Sequence, residues 1–183
     1  MTGFKVALKL HCFCDMEQAC RTFADANHKP LHMAKDIQSR NFSDGTYCCS
    51  AHGEYHAFPE QTDVYVYCFP CEPWSMKGNR LGFRDGAGSV VWQAMRTVQA
   101  LKPGIFFIQT VTTIGSLSSS GVRKSRKSDL DIICKKMHTK LPGYRLLFLK
   151  HVDPTNMGYP ARRYLVALVG CRDDLISTVA LTT

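Results

Sequence analysis

The sequence predicts a single α/β domain whose central sheet is mainly parallel, and three observations support this prediction. Short apolar runs rich in β-branched and aromatic residues alternate with segments of helical periodicity. The chain has 183 residues, of which 45% are hydrophobic, so it can bury one substantial core. No helix separates the last two apolar runs, and they are therefore expected to form an antiparallel pair at the edge of the sheet.

The first third of the chain contains two short predicted strands. The run HCFC, residues 11–14, is the first, and LHMAKDI, residues 31–37, is the second. Between them lies a predicted helix, EQACRTFADANH, with Asp15 as a candidate N-cap. The predicted apolar face of this helix carries Ala19, Cys20, Phe23 and Ala24. Residues 38–62 show little apolar periodicity and are predicted to form a long loop.

The middle of the chain predicts a strand, a helix and a second strand. DVYVYCF, residues 63–69, is rich in β-branched and aromatic residues and is predicted to be a largely buried strand. The segment 89–102 has helical spacing and stops before a Pro-Gly pair, and residues 104–111 form the next apolar run. The predicted buried face of the helix carries Val91, Ala94, Val98 and Leu101.

The last third predicts one helix and two closing strands. Residues 129–141 form the helix, and the strands are residues 144–152 and 162–171. The helix is expected to bury Leu130, Ile133, Cys134, Met137 and Leu141. The preceding segment 115–128 is rich in serine and glycine and then basic, so it is predicted to be a surface loop.

Charge and cysteine content narrow the functional class. The formal net charge is +8, which favours a polyanionic partner such as nucleic acid. The nine cysteines are odd in number and no secretory signal is evident, so reduced thiols in an intracellular compartment are expected. No run approaches about 18 consecutive apolar residues, and no membrane span is predicted.

Two cysteines in the middle of the chain allow more than one interpretation. Cys68 and Cys71 have the C-x-x-C spacing of a thiol redox centre or of half a zinc site. A redox centre would need a helix directly after Cys71, but a glycine-rich segment follows, and no second C-x-x-C is available for zinc. The pattern therefore favours Cys71 alone as a nucleophile beyond the carboxyl end of a strand. A zinc site can also be drawn from Cys48, Cys49, His52 and His56, although their crowding favours ordinary loop residues.

The segment FPCEPWSMKGNRLGFRD, residues 69–85, resembles the Pro-Cys loop of the C5-cytosine DNA methyltransferases. Four further segments resemble family elements in the family's order. They are CDMEQACRTFADANH, AKDI, the helix and strand AGSVVWQAMRTVQALKPGIFFIQTV, and GYPARRYLVALVG. The resemblance implies a Rossmann-like methyltransferase fold, truncated at both ends, that lacks the glycine-rich cofactor turn and the target-recognition region.

The same resemblance implies an activity, a cofactor and a substrate. A cysteine thiolate would add to carbon 6 of a cytosine flipped out of DNA, and carbon 5 would accept the methyl group of S-adenosylmethionine. An intracellular location is implied, in the nucleus if the organism is eukaryotic. The implied catalytic residues are Cys71, Gln109 and Arg163, and the implied cofactor contacts are Asp15, Met16, Asp36, Ile37 and Pro70. The implied DNA contacts are Ser75, Lys77, Arg80, Arg84, Arg123, Lys124 and Arg126.

The chain departs from the family pattern at several positions. Gln109 and Thr110 stand in place of the family's Glu-Asn, and Glu72 follows the nucleophile where a glutamine is usual. In the later motif Ala161 and Leu165 replace a glutamine and an arginine. Three alternatives therefore stay open: a non-catalytic nucleic-acid-binding remnant of the family, a tRNA cytosine methyltransferase, and a thiol oxidoreductase that needs Cys68.

Overall fold

The computed structural model describes residues 8–51, 53–116, 127–160, 162 and 164–179. The chain divides into two compact units, Met1–Glu60 and Gln61–Thr183. They are called here the N-terminal and the C-terminal unit. None of the described helices combines the length and the apolar character needed to span a bilayer.

The N-terminal unit contains two pairs of very short strands. Strands β1 and β2 pair in parallel, as predicted, and β3 and β4 form an antiparallel hairpin. The hairpin corrects the prediction of a long loop over residues 38–62. Strands of three residues are too short to show periodicity, but Tyr47 and Cys49 alternate inward and are buried. The elements are β1 Cys12–Cys14, α1 Gln18–His28, β2 His32–Ala34, β3 Thr46–Cys48 and β4 Tyr55–Ala57.

Helix α1 differs from its prediction at its start and on its buried face. The N-cap position is held by Glu17, which makes no side-chain cap, so the prediction of Asp15 as N-cap is wrong. Asp15 Oδ1 instead accepts a hydrogen bond from the Glu17 backbone amide at 2.8 Å. Ala24 is buried as expected, but Phe23 is 64% exposed, and Arg21 is the helix's other buried residue.

The C-terminal unit is built on a mixed four-stranded sheet in the order β5-β6-β8-β7. Strands β5 and β6 pair in parallel, while β8 pairs antiparallel with both β6 and β7. The expected antiparallel pair of closing strands is confirmed, with β7 at the sheet edge. The strands are β5 Val64–Cys68, β6 Ile105–Val111, β7 Tyr144–Val152 and β8 Leu165–Arg172.

The helices of this unit follow the predicted apolar patterns. On α3 the side chains of Val91, Ala94 and Val98 are fully buried, and a left-handed Lys102 ends the helix before Pro103. On α4, Leu130, Ile133 and Met137 are buried. Leu101 of α3 and Cys134 of α4, which were also expected to be buried, are only partly so. The unit's helices are α2 Gly86–Ser89, α3 Val91–Leu101, α4 Asp129–Lys140 and α5 Asp173–Val179.

Strand β5 is less buried than its composition suggests. Tyr65 is buried, but Val64 is 46% exposed and Val66 is 64% exposed. The prediction of a largely buried strand is therefore wrong for one of its two faces. The reason is that only one face of this sheet is packed in the described residues, since Phe107, the partner of Val66 on the inner strand β6, is also 42% exposed.

Candidate active site

The parallel pair β5–β6 delivers Cys71 to the expected edge of the sheet. Cys68 is in register with Gln109, and the Phe69 amide still donates to the Gln109 carbonyl oxygen at 3.4 Å. The chain then leaves the sheet through Pro70, which is exposed, and reaches Cys71. Ligands of α/β proteins bind beyond the carboxyl ends of parallel strands, and Cys71 lies there.

The backbone after Cys71 forms a turn. The Cys71 carbonyl oxygen accepts hydrogen bonds from the amides of Trp74 at 3.0 Å and Ser75 at 2.8 Å. The next α-helix of the described chain begins only at Gly86. A thiol redox pair is stabilised by a helix that starts at its second cysteine, and that helix is absent from the described residues between Cys71 and Gly86. The geometry therefore favours a single nucleophile.

The Cys68 thiol has a different environment from that of an activated nucleophile. Its sulfur donates to Gln109 Oε1 at 3.7 Å, across the strand pair. Desolvation by the surrounding protein raises the pKa of the Cys68 thiol, whereas an attacking thiol needs a lowered pKa. Cys68 thus contacts Gln109 across the strand pair, in surroundings that do not activate its thiol.

Trp74 anchors the segment that follows Cys71. Its side chain is only 8% exposed, and its indole Nε1 donates to Asp129 Oδ2, in the first turn of α4, at 2.9 Å. The indole also meets the rings of Phe69 and Phe83 edge-on, with centroids 5.4 and 5.7 Å apart. A buried indole N–H needs a partner, and Asp129 supplies it. The loop is thereby fastened to α4.

Three glycines allow this segment to fold on itself. A Cβ at Gly78 would lie 1.7 Å from the Glu72 carbonyl oxygen, and one at Gly88 would lie 2.1 Å from the Gly82 carbonyl oxygen. Gly82 has a φ of +56°, and its amide donates to the Pro73 carbonyl oxygen at 3.0 Å. The glycine-rich segment after Cys71 is therefore a compact folded loop, whose glycines permit close backbone contacts.

The basic residues expected to contact DNA fall into two groups. Lys77, Arg80 and Arg84 are exposed on the folded loop, and Ser75 is half-buried beside them. Exposed cations on one loop can contact consecutive phosphates. The other basic candidates, Arg123, Lys124 and Arg126, lie outside the described residues, as do Arg163 and Ala161.

The two carboxylates expected to bind the cofactor lie in the N-terminal unit, at one edge of its parallel strand pair. Asp15 directly follows β1, and its amide donates to the Ala34 carbonyl oxygen at the end of β2, at 3.2 Å. Asp36 follows β2, and its Oδ1 accepts from the Gln38 amide at 2.8 Å. The local fold therefore brings the two residues to the same edge.

The chemistry of this edge fits the nucleoside half of S-adenosylmethionine. Carboxylate oxygens accept hydrogen bonds from ribose hydroxyls and from an adenine amino group, and Asp15 and Asp36 are both only partly buried. Met16 is 68% exposed and presents an apolar side chain beside Asp15. Ile37 is 7% exposed, so most of its surface already packs against protein.

Arg21 is a residue that the sequence analysis did not single out. It is buried on α1, and its Nη1 donates to the carbonyl oxygens of Asp15 at 2.6 Å and Met16 at 2.7 Å. The guanidinium thereby holds the turn that carries two of the five predicted cofactor contacts, Asp15 and Met16. The only available signal in the sequence was its position three residues before Ala24, on the buried face of the helix.

Known proteins resemble this chain in sequence. The model of the C-5 cytosine-specific DNA methylase family matches residues 3–182. The Type II methyltransferase M.PspPI of Psychrobacter is 29% identical over 120 residues, which are 66% of this chain and 27% of that protein. M.HpaII of Haemophilus parainfluenzae is 27% identical over 138 residues, 75% of this chain and 36% of that protein.

A solved structure shares the fold. A protein described as a DNA modification methyltransferase encoded within an E. coli prophage matches with a TM-score of 0.58 and 18% identity, over 90% of this chain and 40% of its own. The chain thus spans well under half the length of the relatives it matches. The family model covers almost all of this chain, and the chain therefore belongs to the C-5 cytosine-specific DNA methylase family.

Proposed function

We propose that this chain carries part of the catalytic region of a DNA (cytosine-5)-methyltransferase, with Cys71 as its nucleophile. The observation that carries the proposal is the position of Cys71 beyond the carboxyl end of β5, with Gln109 on the paired strand β6. Family membership supports it, because members of this family take a methyl group from S-adenosylmethionine. The cofactor, when bound, supplies an electrophilic methyl group.

The role of Cys71 follows from the weak nucleophilicity of cytosine. Its thiolate adds to carbon 6, a carbon–sulfur bond forms, and the electron pair of the 5,6 double bond moves to carbon 5. Carbon 5 then takes up the methyl group. Water takes the proton from carbon 5, and the electron pair of that carbon–hydrogen bond re-forms the 5,6 double bond as the carbon–sulfur bond breaks and releases the thiolate. Cys71 therefore leaves the cycle unchanged.

The substrate base must leave the double helix to reach a thiol held at a sheet edge. Lys77, Arg80 and Arg84 would hold the phosphates beside the extruded nucleotide, in keeping with the net charge of +8. Asp15 and Asp36 would accept hydrogen bonds from the ribose and adenine of the cofactor. These assignments rest on the exposure of the basic loop and on the chemistry of the carboxylates.

Gln109 sets the expected level of activity. A carboxamide can donate a hydrogen bond to the pyrimidine ring nitrogen but cannot deliver a proton to it. General acid catalysis contributes about 10²–10⁴ in rate. Gln109→Glu should therefore raise the rate of covalent adduct formation by about 10²-fold, and an unchanged or lower rate would show that this position is not aligned with the base.

The proposal is tested with a DNA duplex that carries 5-fluorocytosine, incubated with the purified chain and S-adenosylmethionine. A fluorine at carbon 5 cannot leave as a proton, so the protein remains covalently attached, and denaturing electrophoresis detects the adduct. We expect the adduct with the native chain and with Cys68→Ser, and none with Cys71→Ser. Loss of the adduct in Cys68→Ser alone would instead make Cys68 the nucleophile and overturn the assignment of Cys71.

Two further experiments test the remaining alternatives, a tRNA methyltransferase and a non-catalytic binding remnant. A tRNA containing 5-fluorocytidine is incubated in parallel, and an adduct with this RNA alone would overturn the DNA assignment. Salt-dependent DNA binding without an adduct, by the native chain and by Gln109→Glu, would overturn the catalytic role and support a binding remnant. The reduced thiols also lead us to propose an intracellular location.

A further inference from the structure

Three potential metal ligands converge in the N-terminal unit, and none of them is a residue assigned to methyl transfer. The ligating atoms of His32, Cys49 and His56 all lie within 4.8 Å of one another. The two imidazole rings lie 4.1 Å apart between centroids and are tilted by 31°. Cys49 is fully buried, and both histidines are partly buried. A buried thiol beside two imidazoles is a donor set suited to zinc.

The backbone holds the three donors in place. His32 lies on β2 and His56 on β4, while Cys49 directly follows β3. The turn at Cys49 is closed by two backbone hydrogen bonds, in which the Cys49 amide donates to the Glu54 carbonyl oxygen at 2.8 Å and the Gly53 amide donates to the Cys49 carbonyl oxygen at 2.8 Å. The position of Cys49 is thus set by the hairpin itself.

A second set of contacts ties the hairpin to β2. The Ser50 amide and hydroxyl both donate to the Met33 carbonyl oxygen, at 2.6 and 3.1 Å. Met33 is the neighbour of His32 on β2. The donors from the two β structures are therefore brought together by the fold, without requiring a bound ion to organise them.

The spacing of the donors matches a tetrahedral ion after a small adjustment. Zinc binds imidazole nitrogen at about 2.0 Å and thiolate sulfur at about 2.3 Å, which places ligand atoms roughly 3.3–3.8 Å apart. The three atoms need to close by about 1 Å from their largest separation of 4.8 Å. Side-chain rotation can supply this, because the Ser50–Met33 hydrogen bond holds the neighbours of Cys49 and His32 together and the rings of His32 and His56 are already in contact.

We propose that His32, Cys49 and His56 bind a zinc-like divalent ion that stabilises the N-terminal unit. The ion would link the β3–β4 hairpin to β2, in a unit with few large buried apolar side chains. The site is independent of the proposed methyl transfer. It differs from the set suggested by the sequence, because it takes Cys49 and His56 but draws its third ligand from β2; His52 lies outside the described residues.

The fourth coordination position falls to water or to His11. The His11 ring lies 5.3 Å from that of His32 between centroids, and its Nε2 is hydrogen-bonded to the Tyr47 hydroxyl at 3.2 Å. His11→Ala distinguishes these two fourth ligands. If His11 is the ligand, the variant should bind cobalt more than tenfold more weakly; if water is the ligand, the affinity should change by less than that.

The experiment is a cobalt titration of the purified chain after treatment with a chelator and dialysis. Cobalt(II) replaces zinc and gives a thiolate-to-metal absorption band in the near ultraviolet, together with visible bands of tetrahedral coordination. We expect saturation at one equivalent, displacement by zinc, and a higher melting temperature with zinc bound. Cys49→Ser should lose the thiolate-to-metal absorption band. His56→Gln should keep this band but bind cobalt at least tenfold more weakly than the native chain.

Two matched controls address loss of folding and non-specific binding. Cys20→Ser removes an exposed thiol and His151→Ala an exposed imidazole, and both should bind cobalt as the native chain does. Circular dichroism verifies the fold of each variant. A folded native chain that binds no cobalt, or a thiolate band that persists in folded Cys49→Ser, would overturn the proposal. If Cys49→Ser fails to fold, unchanged affinity in folded His56→Gln would overturn it equally.

Discussion

The two units of this chain are stabilised in different ways. In the C-terminal unit the strands are five to nine residues long, and the core consists of fully buried apolar side chains such as Phe106, Ile108 and Leu168. In the N-terminal unit every strand has three residues. Its buried residues include Arg21, Tyr47 and Cys49, all with polar or reactive groups.

This difference predicts which kinds of substitution destabilise each unit. Apolar burial is spread over many contacts and depends on volume and shape. A buried polar group depends on a few partners, and its loss leaves those partners unsatisfied. We therefore expect volume changes to dominate in the C-terminal unit and partner changes to dominate in the N-terminal unit. The following predictions test that contrast, from the largest expected effect to the smallest.

Phe106→Ala should give the largest loss of stability. The ring is fully buried at the centre of the sheet, against Gly170 and Tyr144, and its removal should lower the free energy of unfolding by about 3–5 kcal/mol. Urea unfolding followed by circular dichroism measures it. Phe107→Ala is the control, since that ring is 42% exposed and should lose less than half as much. Equal losses would contradict a core centred on Phe106.

Gly78→Ala should disturb the loop that carries Cys71. The new methyl group would meet the Glu72 backbone, which cannot move aside easily, and we expect a loss of about 2–3 kcal/mol. The yield of 5-fluorocytosine adduct should fall with it. Gly86→Ala is the matched control, because no atom lies within 4 Å of the position that its new methyl group would take. The same loss in both variants would show that the loop is not closely packed at Gly78.

Arg21→Lys should weaken the N-terminal unit by loss of partners at nearly constant charge. A lysine cannot reproduce the guanidinium contacts to the Asp15 and Met16 carbonyl oxygens, and about 1–2 kcal/mol of stability should be lost. As a positioning residue, Arg21 should also affect affinity for S-adenosylhomocysteine, measured by calorimetry. Arg145→Lys, at an exposed salt bridge, should leave both quantities unchanged. If Arg21→Lys binds S-adenosylhomocysteine with the affinity of the native chain, Arg21 contributes to stability and does not position the cofactor contacts.

Ser128→Ala should have the smallest effect, about 1 kcal/mol, through loss of the capping box of α4. Hydrogen bonds from the Ser128 amide and hydroxyl lower the pKa of Asp131. Because this folded-state pKa lies below the unfolded one, the contribution is complete above about pH 4 and is lost as the pH falls through the folded value. Unfolding measured at pH 7 and in progressively more acidic buffer should show the difference between the variant and the native chain shrinking as Asp131 is protonated. A constant difference would contradict the coupling.

Local periodicity predicted the C-terminal unit well because its elements are long. Segments 89–102 and 129–141 bury most of the predicted faces as α3 and α4, and the closing strands pair as expected. The same approach failed on β5, where Val66 lies on an exposed face together with Phe107 of the inner strand β6. Composition indicates a strand, but the elements packed against the sheet decide how many of its faces are covered.

The candidate site was predicted in part. The Pro-Cys segment and the order of the family motifs pointed to Cys71 from residues adjacent in the chain. The anchor of that segment was not visible, because Trp74 and Asp129 lie 55 positions apart and meet only when α4 packs beside the loop. Arg21 was missed for a related reason, since its partners are backbone carbonyls, which every residue has.

The sequence by itself therefore determined the family, the order of the longer helices and strands, and the residue proposed as nucleophile. These depend on local periods and on motifs of adjacent residues. Only the tertiary structure decided the short β3–β4 hairpin, the anchoring of Trp74 and the meeting of His32, Cys49 and His56. Such contacts join residues distant in the chain, and strand pairing or packing between elements, which no local pattern encodes, brings them together.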